Sequence, residues 1–116
     1  MIKFLKKSHD NIFGLEATGE ITEKDIIDWE TKINKTIKKY GTVNWFFVIK
    51  ASKFESLKSM YSDMMWLLKN IVHFDKMAIV GDKKWEELLI KADSLAFGEK
   101  YFDISQLDQA WDYIES

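Results

Sequence analysis

Cysteine is absent from the 116 residues. That excludes a disulfide framework, a thiolate nucleophile and any thiolate metal site, and it fits a reducing compartment, with the cytoplasm as the expected location. Arginine is absent too, since all 17 basic residues are Lys. Without the forked guanidinium that reads guanine or grips a phosphate through two hydrogen bonds, and with a net charge of only −2, nucleic-acid binding is not expected. Proline is missing as well, and no repeat, low-complexity stretch or linker composition interrupts the chain, so residues 1–116 read as a single domain. No apolar run reaches membrane-spanning length, and the first residues mix Lys with Ile2, Phe4 and Leu5 instead of forming a signal-peptide core, so a soluble protein is expected. Histidine is scarce. His9 beside Asp10, and His73 just before Asp75, are the pairings open to His-carboxylate chemistry; neither has the spacing of a known ligand set, and no metal or other cofactor is expected.

Bulky rings are abundant by contrast: hydrophobic residues make up 47% of the chain and aromatic ones 15%, so aromatics carry much of the core. The densest apolar run is Val43, Asn44, Trp45, Phe46, Phe47, Val48, Ile49. It lacks the alternation of a strand with one wet face, which predicts a central strand covered on both sides in an α/β sandwich.

In chain order, residues 2–7 and 12–18 read as an antiparallel hairpin closed by Gly19 and Glu20. Thr22 with Asp25 makes a capping-box start for a helix that turns Ile26, Trp29, Ile33, Ile37 and Tyr40 inward and stops at Gly41. Residues 50–56 read as a loop, with Phe54 plugging a gap under it. A second helix starts near Ser56 with a broad apolar face of Leu57, Met60, Tyr61, Met64, Leu68 and Ile71, flanked by Met65, Val72 and Leu67. Trp66 falls roughly opposite that face, toward solvent or a partner. Residues 77–80 form a strand, after which Asp82 caps a helix carrying Trp85, Leu88, Leu89 and Ala92 inward. Residues 100–103 form the last strand, and Ser105 with Asp108 opens a final helix with Leu107, Ala110, Trp111 and Ile114 inward.

Two segments, F-D-K-M-A-I-V-G-D-K-K-W at residues 74–85 and K-Y-F-D-I-S-Q-L-D-Q-A-W-D-Y-I at 100–114, resemble the bacterial SpoIIAA-like family. Element order and length agree over nearly the whole chain. The resemblance implies a STAS-like mixed sheet of about five strands with an N-terminal antiparallel hairpin and about four helices, related to anti-sigma factor antagonist and lipid-carrying CRAL-TRIO domains. It also implies apolar ligands held under mobile helices and association with membranes, and it brings no catalytic residues. Anti-sigma antagonists carry an Asp-Ser-Ser-Gly phosphorylation signature after the central strand. This chain reads A-S-K-F-E-S-L-K-S-M-Y-S-D there, so Ser52, Ser56, Ser59 and Ser62 lack that context.

Catalytic readings are weak on their residues. Glu86 and Glu87, or Asp108 and Asp112, are carboxylate pairs of the kind found on solvated helix faces, and Asp82 would occupy the helix end that Gly81, Lys83 and Lys84 would otherwise offer to a phosphate. An enzyme is not expected. The methionines of the second helix suit an adaptable lining, so Met60, Met64, Leu68 and Tyr61 are the expected contacts for an apolar small molecule or lipid, and Trp66 for a membrane surface or partner. The alternative is a STAS-type protein-protein regulatory module without the usual phosphoserine signature, docking a partner through Trp66 and the helix around it; the partner classes left open are a homodimer and another protein.

Overall fold

The computed structural model describes residues 1–85, 87 and 99–116. Strand β1 (Ile2–Phe4) pairs antiparallel with β2 (Ile12–Ile21). Strands β3 (Val43–Phe54), β4 (Phe74–Gly81) and β5 (Lys100–Phe102) then join in parallel, each beside the strand before it, so spatial order in the five-stranded sheet follows chain order. A parallel sheet that always grows in one direction by right-handed crossovers places its connecting helices on one face. Helices α1 (Glu23–Tyr40) and α2 (Leu57–Asn70) lie on that face, together with the helical turn that holds Trp85. The opposite face is left to α3 (Leu107–Glu115), which folds back from the end of β5.

This arrangement gives β3 a core on each side. Trp45, Phe47, Ile49 and Ala51 point into the larger one, against Ile26, Trp29 and Ile33 of α1 and Leu67 of α2. Phe46 and Val48 point into the smaller one, against Ala110 and Ile114 of α3. The predicted central strand is therefore found. Its rings are ordered against one another: Trp45 stacks on Phe47 with centroids 4.9 Å apart, and Trp29 meets the edge of Phe47 at 5.3 Å.

The caps of α1 follow the predicted pattern, with Thr22 and Asp25 in a reciprocal capping box and Gly41 in the left-handed conformation at φ +81°, which a side chain would oppose. Asp82 accepts from the Trp85 backbone N–H at 3.1 Å, so it does close the following helix start; Leu88, Leu89 and Ala92 lie outside the described residues.

Several details differ from expectation, beginning with β1, which stops at Phe4, and β4, which already starts at Phe74. Strand β2 continues past Gly19, whose φ of +62° marks a register shift rather than an end. Strand β3 runs on to Phe54 because its polar end still pairs with β2, and Lys50 and Lys53 reach Glu16 and Glu20 at 2.8 and 3.4 Å. Tyr40, expected inward, is exposed at the last position of α1. The C-terminal helix is entered through a short 3-10 turn, Ile104–Gln106, capped by Asp103 and Gln106 rather than by Ser105 and Asp108; a residue at the strand end has the extended backbone that a cap requires.

Because Phe47 fills the junction of β3 with α1, Phe47→Ala should cost about 3–5 kcal/mol. Urea denaturation measures this. A loss below about 1 kcal/mol would mean that the two-sided core does not depend on this ring.

Candidate functional site

Helix α2 is the element whose placement differs most from its sequence pattern. Ser56 caps it, accepting from the Ser59 backbone N–H at 3.0 Å while donating to the Ser59 hydroxyl at 2.9 Å. Its buried residues are Leu67 and, unexpectedly, Asp63. A carboxyl group enters a core only with partners. Here the Trp29 indole N–H of α1 donates to Asp63 Oδ1 at 2.9 Å, and the Glu30 carboxylate lies beside it. Burial pushes the Asp63 carboxyl well above its ordinary value of 3.8, Glu30 pushes it the same way, and the Trp29 hydrogen bond only partly opposes them. Burial beside Glu30 therefore favours the protonated form of the Asp63 carboxyl over the ionised one.

Anchoring through Asp63 rotates the helix away from the orientation that its methionines suggest. Met60 and Met64 line a cavity of about 60 Å³ between α2 and the sheet, together with Leu67, Phe54, Asp63, Glu99 and the β3 and β4 side chains Trp45, Phe47, Ile49, Met77 and Ile79. Tyr61 and Leu68, expected beside those methionines as ligand contacts, instead point outward and are exposed. Trp66, expected to face solvent or a partner, is turned inward: it packs against the larger core and meets the Phe74 ring edge-on at 6.2 Å. The physical reason lies in the bond between Trp29 and Asp63, which fixes the rotation of a helix carrying apolar residues on nearly every side. The Trp45 indole N–H also borders this region, buried and without an acceptor among the described residues.

The cavity is less than half the roughly 150 Å³ that admits benzene in an apolar protein interior. An acyl chain does not fit it with α2 in place. Beside it, a groove of about 220 Å³ separates the first turns of α1 and α2 and brings Ser56, Ser59 and Ser62 opposite Glu23 and Glu30, which outnumber the one cation lining it, Lys58. Those carboxylates make the groove unfavourable for an added phosphate.

The rotation leaves an apolar stripe outside. Leu57 is 78% exposed, Tyr61 65%, Met65 38%, Leu68 41% and Val72 81%. The spacing i, i+4, i+8, i+11 puts the first four on one side of α2, and Val72 follows just past its end. The sequence contains this stripe, but its signal merges with the methionine face, and only the position of Asp63 separates the two. Among the described residues no group of three or more His, Asp or Glu side chains is placed to hold a metal ion, and no helix is long and apolar enough to cross a membrane.

A carboxyl whose value is raised by folding gives a definite pH dependence. With a folded value raised above the unfolded one, Asp63 adds stability fully present below about pH 4 and lost as pH rises through its folded value. Asp63→Asn keeps an acceptor for Trp29 and cannot ionise, so the variant should lose less stability than wild type between pH 5 and pH 8. Urea midpoints at the two pH values decide it; parallel slopes would show that Asp63 is not the titrating group.

A five-stranded sheet with this hairpin edge and these covering helices has solved counterparts. An uncharacterised protein with a SpoIIAA-like fold from Shewanella loihica PV-4 superposes with a TM-score of 0.69 at 17% identity, over 98% of this chain and 92% of its own. The anti-sigma factor antagonist SpoIIAA in its unphosphorylated form superposes with a TM-score of 0.66 at 13% identity, over 100% of this chain and 99% of its own. A comparison with curated proteins found no match. The family model described as SpoIIAA-like matches residues 12–115, from the start of β2 to the end of α3. The chain belongs to the SpoIIAA-like family.

Proposed function

We propose that this protein is a non-enzymatic protein-protein regulatory module that docks a partner through the outer face of α2. The observation that carries this reading is the exposed stripe of Leu57, Tyr61, Met65, Leu68 and Val72. Single exposed apolar residues are ordinary, but a contiguous row along a whole helix leaves apolar surface in water that a partner would remove. The shared fold with an anti-sigma factor antagonist supports the same class of role.

The apolar-ligand reading ranks second on the same geometry. For a ligand beneath Met60 and Met64 it requires α2 to leave the sheet, since the cavity there is about 60 Å³; the larger groove of about 340 Å³ at the start of α2, lined by Phe54, Leu57 and Trp85, is reached by Met60 alone of the four expected contacts. Displacement would break the hydrogen bond from Trp29 to Asp63 and expose Leu67 and Trp66. Docking on the outside needs neither change. The serines at the start of α2 are not expected to act as a phosphoswitch, because the Ser56 hydroxyl is committed to the helix cap and acidic side chains face the group.

Leu68→Asp places a charge in the middle of the stripe at a position that already faces water, so its urea midpoint should correspond to a stability change within about 0.5 kcal/mol. Partner affinity should fall at least ~10-fold, since burying a leucine side chain contributes about 1.5–3 kcal/mol. The check is affinity capture from the host with wild type, Leu68→Asp and an Asp28→Ala control on α1. A protein retained by wild type and control but lost by Leu68→Asp fits the proposal; retention by all three overturns it.

A further inference from the structure

Resting on the docking reading above, we infer that α2 has two rotations on the sheet, one residue apart, and that a proton on Asp63 selects the one that displays the docking stripe. The helix does not bury the side that its sequence makes apolar. At 100° per residue, seven of its eight apolar side chains fall within an arc of about 160° centred on Leu57 and Leu68, whereas its two buried residues, Asp63 and Leu67, are centred about 100° away from that midpoint. That offset is the angle of one residue.

Turned that far, α2 puts Tyr61 where Met60 now stands, Met64 where Asp63 stands, Met65 where Met64 stands and Leu68 where Leu67 stands. Every apolar contact is exchanged for another, and a methionine, which packs acceptably in more than one arrangement, replaces the buried acid. The cavity of about 60 Å³ beneath the helix gives room for the larger Tyr61 side chain. The stripe thereby goes inward, and Trp66 moves to the surface position of Met65. Asp63 takes the direction of Ser62, into the groove between α1 and α2, where water screens it from Glu23 and Glu30.

The present rotation is held by the Trp29 indole N–H, which donates to Asp63 at 2.9 Å, and by the contact between the Asp63 and Glu30 carboxyl groups across the α1–α2 junction. With a proton between them those two groups attract; without it, two carboxylates face each other away from water. Glu99, ahead of β5, lines the same cavity and accepts from the Tyr101 hydroxyl at 2.7 Å, while Glu23 and Lys58 line the outer groove with Glu30. Strands β3 and β4 face the cavity with apolar and aromatic side chains, and among the described residues no cation pairs with Asp63. Nothing there offsets a buried negative charge except the Trp29 hydrogen bond. The stripe is therefore displayed at lower pH and turned inward as pH rises through the folded value of Asp63. One ionisation changes such an equilibrium by at most tenfold per pH unit, or ~1,000-fold between pH 5 and pH 8.

Because the chain has no cysteine, a single one introduced on α2 is a unique reporter. The test measures the rate at which a neutral maleimide labels Tyr61→Cys, Leu68→Cys and Met64→Cys between pH 5 and pH 8, each divided by the rate for the same variant unfolded in urea, which cancels the titration of the thiol itself. Tyr61→Cys and Leu68→Cys should become ~10-fold or more protected as pH rises, while Met64→Cys stays protected. Adding Asp63→Asn should leave all three rates flat, and adding Glu30→Gln should move the change to lower pH; each variant is first shown to be folded by circular dichroism, and if Asp63→Asn is not, Glu30→Gln decides alone. Flat rates at Tyr61→Cys and Leu68→Cys, or a pH dependence unmoved by both Asp63→Asn and Glu30→Gln, overturn the inference and leave the docking reading standing. A rise at Met64→Cys also overturns it, since α2 then leaves the sheet instead of turning. The docking reading is judged apart, by capture at pH 5, where the stripe faces water with or without a second rotation: it fails if wild type there retains no protein that Leu68→Asp loses.

Discussion

Burial of β3 on both faces is the constraint on which the rest depends. A strand carrying Trp45, Phe47 and Ile49 on one side and Phe46 and Val48 on the other cannot sit at an edge or face water, so both layers of helix are obligatory. Successive parallel strands wound in one direction supply α1 and α2 to the first side. The second side receives no crossover helix among the described residues and is covered mainly by α3, with Leu5 and Ile104 at its margins; the small residues Ala78 and Ala110 belong to this core. The two cores differ in size because the topology provides helices unevenly.

Helix α2 shows what a single polar contact does to an ambiguous helix. Its residues would allow several rotations about its axis, since apolar groups stand on most sides. Asp63 removes the ambiguity, because only one rotation brings its carboxyl to the Trp29 indole and buries both groups satisfied. The same choice sends Met60 and Met64 inward, draws Trp66 against Phe74 and leaves Leu57, Tyr61 and Leu68 in water. Specificity of orientation and exposure of a docking face thus have one cause.

The limits of sequence reading fall along the same line. The central strand, the hairpin, both caps of α1, the Asp82 cap and the family were legible, because each rests on local chemistry: an unbroken apolar run, a Thr-Asp capping box, a Gly after the last turn, and two family segments. Strand ends were not, because the pairing of Lys50 and Lys53 with Glu16 and Glu20 is a long-range event that outweighs a polar local pattern. The face of α2 was misjudged for a related reason. Periodicity counts apolar residues, and it gives no weight to an aspartate that becomes the most informative buried group on the helix only when a tryptophan far away in the chain meets it.

Strand order that repeats chain order bears on how the fold arises during synthesis. The hairpin of β1 and β2 closes first from local contacts, and it presents a finished edge on which β3 can dock as soon as α1 has left the ribosome; β4 and then β5 repeat the step. No strand has to wait for a later one to be inserted between it and its neighbour. The apolar outer side of the growing sheet, however, lacks its main cover among the described residues until the final helix is made, because Phe46, Val48 and Val80 pack chiefly against α3 and the turn that leads into it. The nascent chain therefore carries an exposed sheet face for most of its synthesis, and a truncation or ribosome stall before Leu107 would release a product whose sheet is nearly complete and whose second face is open to aggregation.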